Sequence, residues 1–299
     1  MDLNGLPQTV QNFINDTIQY RETCSCLDYD TCQKILEYAA DTGSQKLTGL
    51  GLYYLAECYW QKGEYENTMQ CLTESVGCLK NTQMYELLAK AHNMMGAVSD
   101  RKNNRMLALS SYYNSLKYAE KYHFYYIQGM AESNIAYTLV RMRLRQEAIQ
   151  HYRIAVDCYD KSEKTYQLNY NRINCMIECG CCHMYLGEME EALQLWNEIE
   201  QILREAPESY YSKITLEMYR IPCELLKGHA EEALKLASDI LEQLSDRVVF
   251  EEIMDELVIL AGILAILPDE KYLEELIRII DEKNVDVYYN IFLDLYPFK

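Results

Sequence analysis

Proline and glycine are scarce in this 299-residue chain, 5 and 12 residues respectively, and no Gly/Ser-rich linker or low-complexity stretch interrupts it. That scarcity excludes small domains strung on flexible tethers and predicts segments that stack directly on one another. Long apolar runs are missing too. The longest, roughly Leu257 to Leu267, falls short of the ~20 apolar residues that a membrane-spanning helix needs. The start, MDLNGLPQTV, has no basic residue and lacks the basic-then-apolar layout of a secretory signal, so a cytoplasmic location is expected, without membrane insertion. Catalytic signatures are absent: there is no P-loop, no Gly-rich dinucleotide turn, no GxSxG and no HExxH, and the five histidines are scattered singly. No enzymatic activity and no cofactor are expected within these residues. Positive charge is in deficit, 28 Lys and Arg against 46 Asp and Glu for a net charge of −18, which argues against nucleic acid as a partner.

What the chain does have is apolar content and a repeat. At 49% hydrophobic residues it can bury a long continuous core. The 12 cysteines fall mostly inside predicted helices, and reduced thiols in a cytosolic chain account for them. Five segments carry one pattern at a spacing of 40 to 44 residues: two helices joined by a tight turn, with a small residue buried in the second helix, at Thr68, Ala108, Ala148, Ala192 and Ala233. The clearest unit is Leu50 to Val76. Leu52, Leu55, Ala56 and Tyr59 recur at helical spacing, Gly63 suits a positive φ at the end of the first helix, and Tyr65, Thr68, Leu72 and Ser75 form the inner stripe of the second. Later units keep the phase through Met95-Gly96, Ile135-Ala136 and Cys179-Gly180, and Pro222 falls inside the first helix of the last.

This order of large, large, small, aromatic, Gly, aromatic, small, large resembles the tetratricopeptide repeat (TPR). The resemblance implies an all-α fold, a right-handed α-α superhelix or TPR-like solenoid of about six to seven helical hairpins. Five repeats would fill residues 46–248, with N-terminal capping helices in 1–45 and a degenerate C-terminal repeat or cap in 249–299, the whole of 1–299 forming one solenoid. Two departures stand out: the period is near 40 rather than the standard motif's roughly 34, and the Pro that follows the second helix in that motif is missing. Helices are expected from Pro7 to Tyr20 and from Asp30 to Asp41, and a sixth pair at Phe250 to Leu267 and Lys271 to Asp281, with a turn at Pro268-Asp269.

By the same resemblance the first helix of each pair lines a concave groove. Its positions are Tyr53, Glu57, Trp60, Lys90, Asn93, Arg101, Ser133, Tyr137, Arg141, Asn174, Met184 and Tyr185. Asn can satisfy backbone donors and acceptors, Tyr and Trp offer flat apolar contact, and Lys or Arg can hold a carboxylate, a mixture suited to an extended peptide or a protein segment. Charge is also distributed unevenly. Residues 87–164 hold 12 Lys/Arg against 7 Asp/Glu, and Arg101, Lys102, Arg105, Arg141, Arg143 and Arg145 fall in two successive turns, where they predict a basic edge. Cys175, Cys179, Cys182 and His183 have spacing compatible with zinc, yet Cys179 and His183 occupy positions that pack inside the pair, and core packing is the expectation; no metal site is assigned. Cys24, Cys26 and Cys32 are read the same way.

The stretches LYYLAECYWQKGEY and AESNIAYTLVRMRLRQEAIQHY resemble the long-period TPR regions that bacterial signalling proteins carry ahead of an output domain, in particular a GGDEF-type diguanylate cyclase. That resemblance implies a protein- or peptide-binding sensory region. The close at DLYPFK, directly after the largely apolar Val285 to Leu295, leads to the expectation that a longer protein continues past it. The alternative is a free-standing peptide-pheromone-type TPR regulator that sequesters a partner; residues 1–45 lack a helix-turn-helix and have few basic residues, against the DNA-binding form of that class. An enzyme with a zinc centre at the Cys175 to His183 cluster is the remaining alternative. Homodimerisation through Phe292, Tyr296 and Phe298 competes with docking of an output domain.

Overall fold

The computed structural model describes residues 11–12, 29–162, 166–205, 213–246, 254–265 and 267–283. Among them are thirteen helices and no strand: α1 (Tyr29–Thr42), α2 (Gln45–Gln61), α3 (Tyr65–Leu79), α4 (Tyr85–Arg101), α5 (Arg105–Tyr122), α6 (Tyr125–Arg141), α7 (Arg145–Asp160), α8 (Tyr166–Leu186), α9 (Met189–Glu205), α10 (Lys213–Leu226), α11 (Ala230–Asp246), α12 (Met254–Ala265) and α13 (Lys271–Glu282). α1 matches the expected Asp30 to Asp41 helix, and α12 and α13 match the sixth pair. The expected helix from Pro7 to Tyr20, Cys24, Cys26, Phe292, Tyr296 and Phe298 lie outside the described residues, apart from 11–12.

The chain divides into two units, Met1–Asn134 and Ile135–Lys299. In the first, α1 packs on α2, α2 on α3, α3 on α4 and α4 on α5. In the second, each helix from α7 to α10 packs on the next, and α12 and α13 pack on each other and on α10 and α11 respectively.

The five small residues at the anchor of the repeat, Thr68, Ala108, Ala148, Ala192 and Ala233, are all fully buried. Four residues further on stands the side chain that fills the helix pair: Leu72, Tyr112, Tyr152, Trp196 and Ala237, again all buried. Twelve residues before the anchor, on the first helix, stand Ala56, Gly96, Ala136, Gly180 and Ile221. The two series complement each other in size. Leu faces Ala, Tyr faces Gly or Ala, Trp faces Gly, and the single reversal puts Ala against Ile. The geometry explains the rule: a Cβ on Gly96 would lie 2.3 Å from the Tyr112 ring, and one on Gly180 would lie 3.1 Å from Trp196. Interiors at crystal-like density leave no slack for an added methyl there. Three residues beyond the large position, Ser75 Oγ donates to the Gly49 carbonyl (2.6 Å) and Ser115 Oγ to the Ala89 carbonyl (2.8 Å), so buried hydroxyls in the first two repeats tie second helix to first. Leu52 and Tyr59, which recur at helical spacing on α2, are only half-buried, as is Tyr65 of the stripe expected on α3, and Tyr53 and Tyr54 join the core. The inner face of α2 is broader than a four-residue stripe because α1, α3 and α4 all pack on it.

The turns inside the repeats are one device used five times. Gly63, Asn103, Arg143, Gly187 and Gly228 all have positive φ, between 58° and 84°. Around each, the backbone N–H of the residue just after the positive-φ position reaches back to a carbonyl five residues earlier: Glu64 to Tyr59, Asn104 to Ser99, Leu144 to Leu139, Glu188 to His183 and His229 to Glu224. This is the left-handed helix cap that uses up the last carbonyls of the first helix. Gly43, Gln83 and His123 take the same conformation in the turns between pairs.

Candidate functional site

In the first unit, the groove positions fall into two layers. Tyr53 and Glu57 on α2 are buried, Tyr53 with its ring edge-on to Tyr54 at 5.7 Å. Trp60 lies at the end of α2, half-buried, packed against Tyr65 (5.5 Å) and with the Arg101 guanidinium 5.9 Å from its ring centre. On α4, Lys90 is engaged by Glu86 one turn earlier. Asn93 is buried, and its Oδ1 accepts from Asn134 Nδ2 at 3.1 Å, an amide pair joining α4 to α6. Ser133, beside Asn134, is half-buried.

In the second unit, Arg141 lies 6.0 Å from the Tyr137 ring and is only 4% exposed. Arg145 covers the Tyr185 ring at 4.3 Å, and Tyr185 is 37% exposed; burial pushes the Tyr185 hydroxyl above its ordinary range, against the pull of Arg145. Met184 is buried. Asn174 is half-buried with its Oδ1 enclosed and without a protein hydrogen bond, and the Tyr152 hydroxyl, deep in the core, is in the same position. Glu178, one turn after Asn174, is held by burial at a carboxyl pKa raised to about 7.

The expected basic edge divides. Lys102 and Arg143 are exposed, Lys102 paired with Glu66 at 2.7 Å. Arg101, Arg105 and Arg145 are half-buried and Arg141 is buried. Arg101, Arg141 and Arg145 stand over aromatic rings, a desolvated setting in which guanidinium groups interact strongly with ring faces. Sequence position placed these arginines at turns; it did not say that their side chains turn inward along the first helices.

Cys175, Cys179, Cys181 and Cys182 are buried, and burial pushes the Cys179 thiol up to about 11, so it is a neutral packing group near pH 7 rather than a thiolate. His183 is buried with both ring nitrogens engaged, Nδ1 with Glu188 Oε2 at 2.6 Å and Nε2 with Arg153 Nη2 at 3.3 Å. A guanidinium can only donate, so Nε2 accepts and Nδ1–H donates to Glu188. No group of three or more His, Cys, Asp or Glu disposed to hold a metal occurs among the described residues. The His183–Glu188 pair brackets the turn of the fourth repeat, and at the same two positions of the fifth the residues are exchanged: Glu224 Oε2 meets His229 Nδ1 at 2.7 Å. Its signal in the sequence is a His and a Glu five apart at matching repeat positions.

No family model and no curated protein matches the sequence. Solved structures do. The apo form of RapI superposes with a TM-score of 0.71 at 10% identity, over 95% of this chain and 98% of that one. A Rap protein complexed with Competence and Sporulation Factor gives 0.61 at 13% identity, over 97% of this chain and 79% of that one. A tetratricopeptide repeat protein from Parabacteroides merdae gives 0.55 at 11% identity, over 97% and 98%. At such identities the likeness is one of fold, and the fold is the all-α, TPR-like solenoid class. No helix among the described residues is long and apolar enough to cross a membrane.

Proposed function

We propose that this chain is a non-catalytic cytoplasmic scaffold that binds an extended peptide, or an unfolded segment of a partner protein, along the first helices of its repeats. One observation carries the reading. In the first unit, α2 and α4 bring an aromatic and a guanidinium group into contact, Trp60 and Arg101, and α4 also carries the amide of Asn93, whereas the second helices fill the helix pairs with mostly apolar side chains. A peptide needs main-chain pairing, flat apolar contact and a charge to fix its direction, and these groups supply all three. Tyr137, Arg141, Asn174 and Tyr185 are the matching set in the second unit.

Two biological settings fit. One is the sensory region of a bacterial signalling protein, of the kind that precedes a diguanylate cyclase. The other is a peptide-pheromone-type regulator that sequesters a partner protein; the fold likeness to RapI, and to a Rap protein solved with Competence and Sporulation Factor, supports this second setting.

The test is selection of a displayed library of linear ten-residue peptides on the intact chain, followed by calorimetric titration of the winners. Asn93→Ala and Arg101→Ala should each weaken binding at least tenfold, consistent with losing a hydrogen bond to a buried or charged group. A library that yields no binder, or binders indifferent to both substitutions, refutes the groove.

A further inference from the structure

Each second helix of the five repeats turns the same six positions outward, with Glu232 alone half-buried: two and one before the buried small residue, and two, five, six and nine after it. On four of the five helices these positions are polar and acidic, apart from Gly77 on α3 and a single exposed Ile154 on α7. α3 presents Glu66 and Glu74, α7 presents Glu147 and Asp157, α9 presents three acids and α11 four. On α5 the six are Met106, Leu107, Ser110, Tyr113, Asn114 and Lys117, with no acid among them. Met106 is 71% exposed, Leu107 47% and Tyr113 51%. Single exposed apolar side chains are commonplace. Three on one face, where the other repeats carry carboxylates, form a local exception in a chain of net charge −18.

Met106, Ser110, Tyr113 and Lys117 recur at helical spacing and make one straight stripe, about 16 Å long at the rise of an α-helix, with Leu107 and Asn114 beside it. That is the length and shape of a ridge that a second helix packs against. We propose that the outer face of α5 docks an amphipathic helix of a partner protein whose apolar stripe is bordered by acidic residues.

Charge selects this occupant. The strip carries Lys117 and no carboxylate, and the first acid further along α5 on its exposed side is Glu120, beyond the strip. A second copy of the chain would bring the same acid-free face, leaving Lys117 opposite nothing of opposite sign. A basic helix would find no carboxylate on the strip. At physiological salt, interactions beyond about 8 Å are screened, so the local charge of the strip decides the pairing rather than the net charge of the molecule.

The test uses two fluorescent 16-residue helical peptides with the same leucine stripe, one bordered by Glu and one by Lys, titrated against the intact chain by anisotropy at physiological salt. The triple variant Met106→Gln/Leu107→Glu/Tyr113→Arg puts the outer residues of the third repeat onto α5 at exposed sites, and its melting temperature checks that the fold is kept. The proposal expects the Glu-bordered peptide to bind at least tenfold more tightly than the Lys-bordered one, and to lose at least tenfold on the triple variant while keeping its affinity on Asn93→Ala. Tighter binding of the Lys-bordered peptide, binding indifferent to the triple variant, or loss confined to Asn93→Ala would overturn it. So would a concentration-dependent dimer in sedimentation velocity that the triple variant abolishes, because the strip would then be covered by a second copy.

Discussion

At the scale of single residues, the repeat is held by trades of volume across each helix pair. Gly96 has no Cβ because the Tyr112 ring occupies that space. Gly96→Ala should therefore destabilise the chain by about 1–3 kcal/mol, despite the better helix propensity of Ala. Adding Tyr112→Leu recreates the Ala56–Leu72 pairing of the first repeat and should recover most of that loss. Denaturant melts of the two singles and the double form the cycle; simple additivity would show that the two side chains do not trade volume. A second trade is electrostatic. Burial raises the Glu178 carboxyl to about 7, so the folded chain holds a proton there that the unfolded chain, with an ordinary carboxyl, has released. Stability is thus lost as pH rises from the unfolded value through about 7. Glu178→Gln should stabilise the chain on the order of 2 kcal/mol at pH 8 and hardly at all at pH 4. Thermal melts of both proteins across that range would show it, and parallel curves would count against it.

At the scale of elements, the recurring unit is the left-handed turn, and its residue choice is uneven. Three of the five intra-repeat turns use Gly, one uses Asn103 and one uses Arg143 at φ 65°. An L-residue with a Cβ is strained there by roughly 1 kcal/mol, least so for Asn. Arg143→Gly should raise stability by about 0.5–1 kcal/mol, and Gly63→Ala, whose added Cβ would meet nothing within 4 Å, should lower it by a similar amount. Equal melting temperatures for wild type and Arg143→Gly would mean that the arginine side chain offsets the strain. The two flanking positions show what the cap tolerates. Leu139 and Leu144 occupy them in the third repeat, His183 and Glu188 in the fourth, and Glu224 and His229 in the fifth. The backbone bond between them is kept throughout, whether the flanking side chains are two leucines or a hydrogen-bonded His and Glu. In the fifth repeat the hydrogen bond to His229 holds the Glu224 carboxyl below its ordinary value.

At the scale of the whole molecule, the first helices and the outer faces of the second helices differ in composition. The first set carries Asn93, Trp60 and Arg101, and the second is largely polar and acidic, with an apolar patch of three residues on α5 and a single exposed Ile154 on α7. Much of this was legible in the chain. Periodicity at 40 to 44 residues located all five pairs, because a residue recurring in phase on successive helices must face the same way. Burial of the first-helix residues was less legible. Tyr53 and Glu57 were read as open positions and are buried, since helical spacing assigns a face but not how closely the neighbouring helices cover it. Arg141 was read as part of an exposed edge and is enclosed beside Tyr137, because a long side chain can lie back along its own helix.

By itself, then, the amino-acid sequence determined the helical repeat, its phase and the small residues at its anchors, all of which follow from local periodicity and the volume a side chain occupies. Tertiary structure alone decided which polar groups are enclosed, that Arg101 and Arg145 stack on rings of other helices, and that His183 is occupied at both nitrogens. Those outcomes depend on the distance between helices far apart in the chain, and side-chain burial follows from that distance rather than from spacing along any one helix.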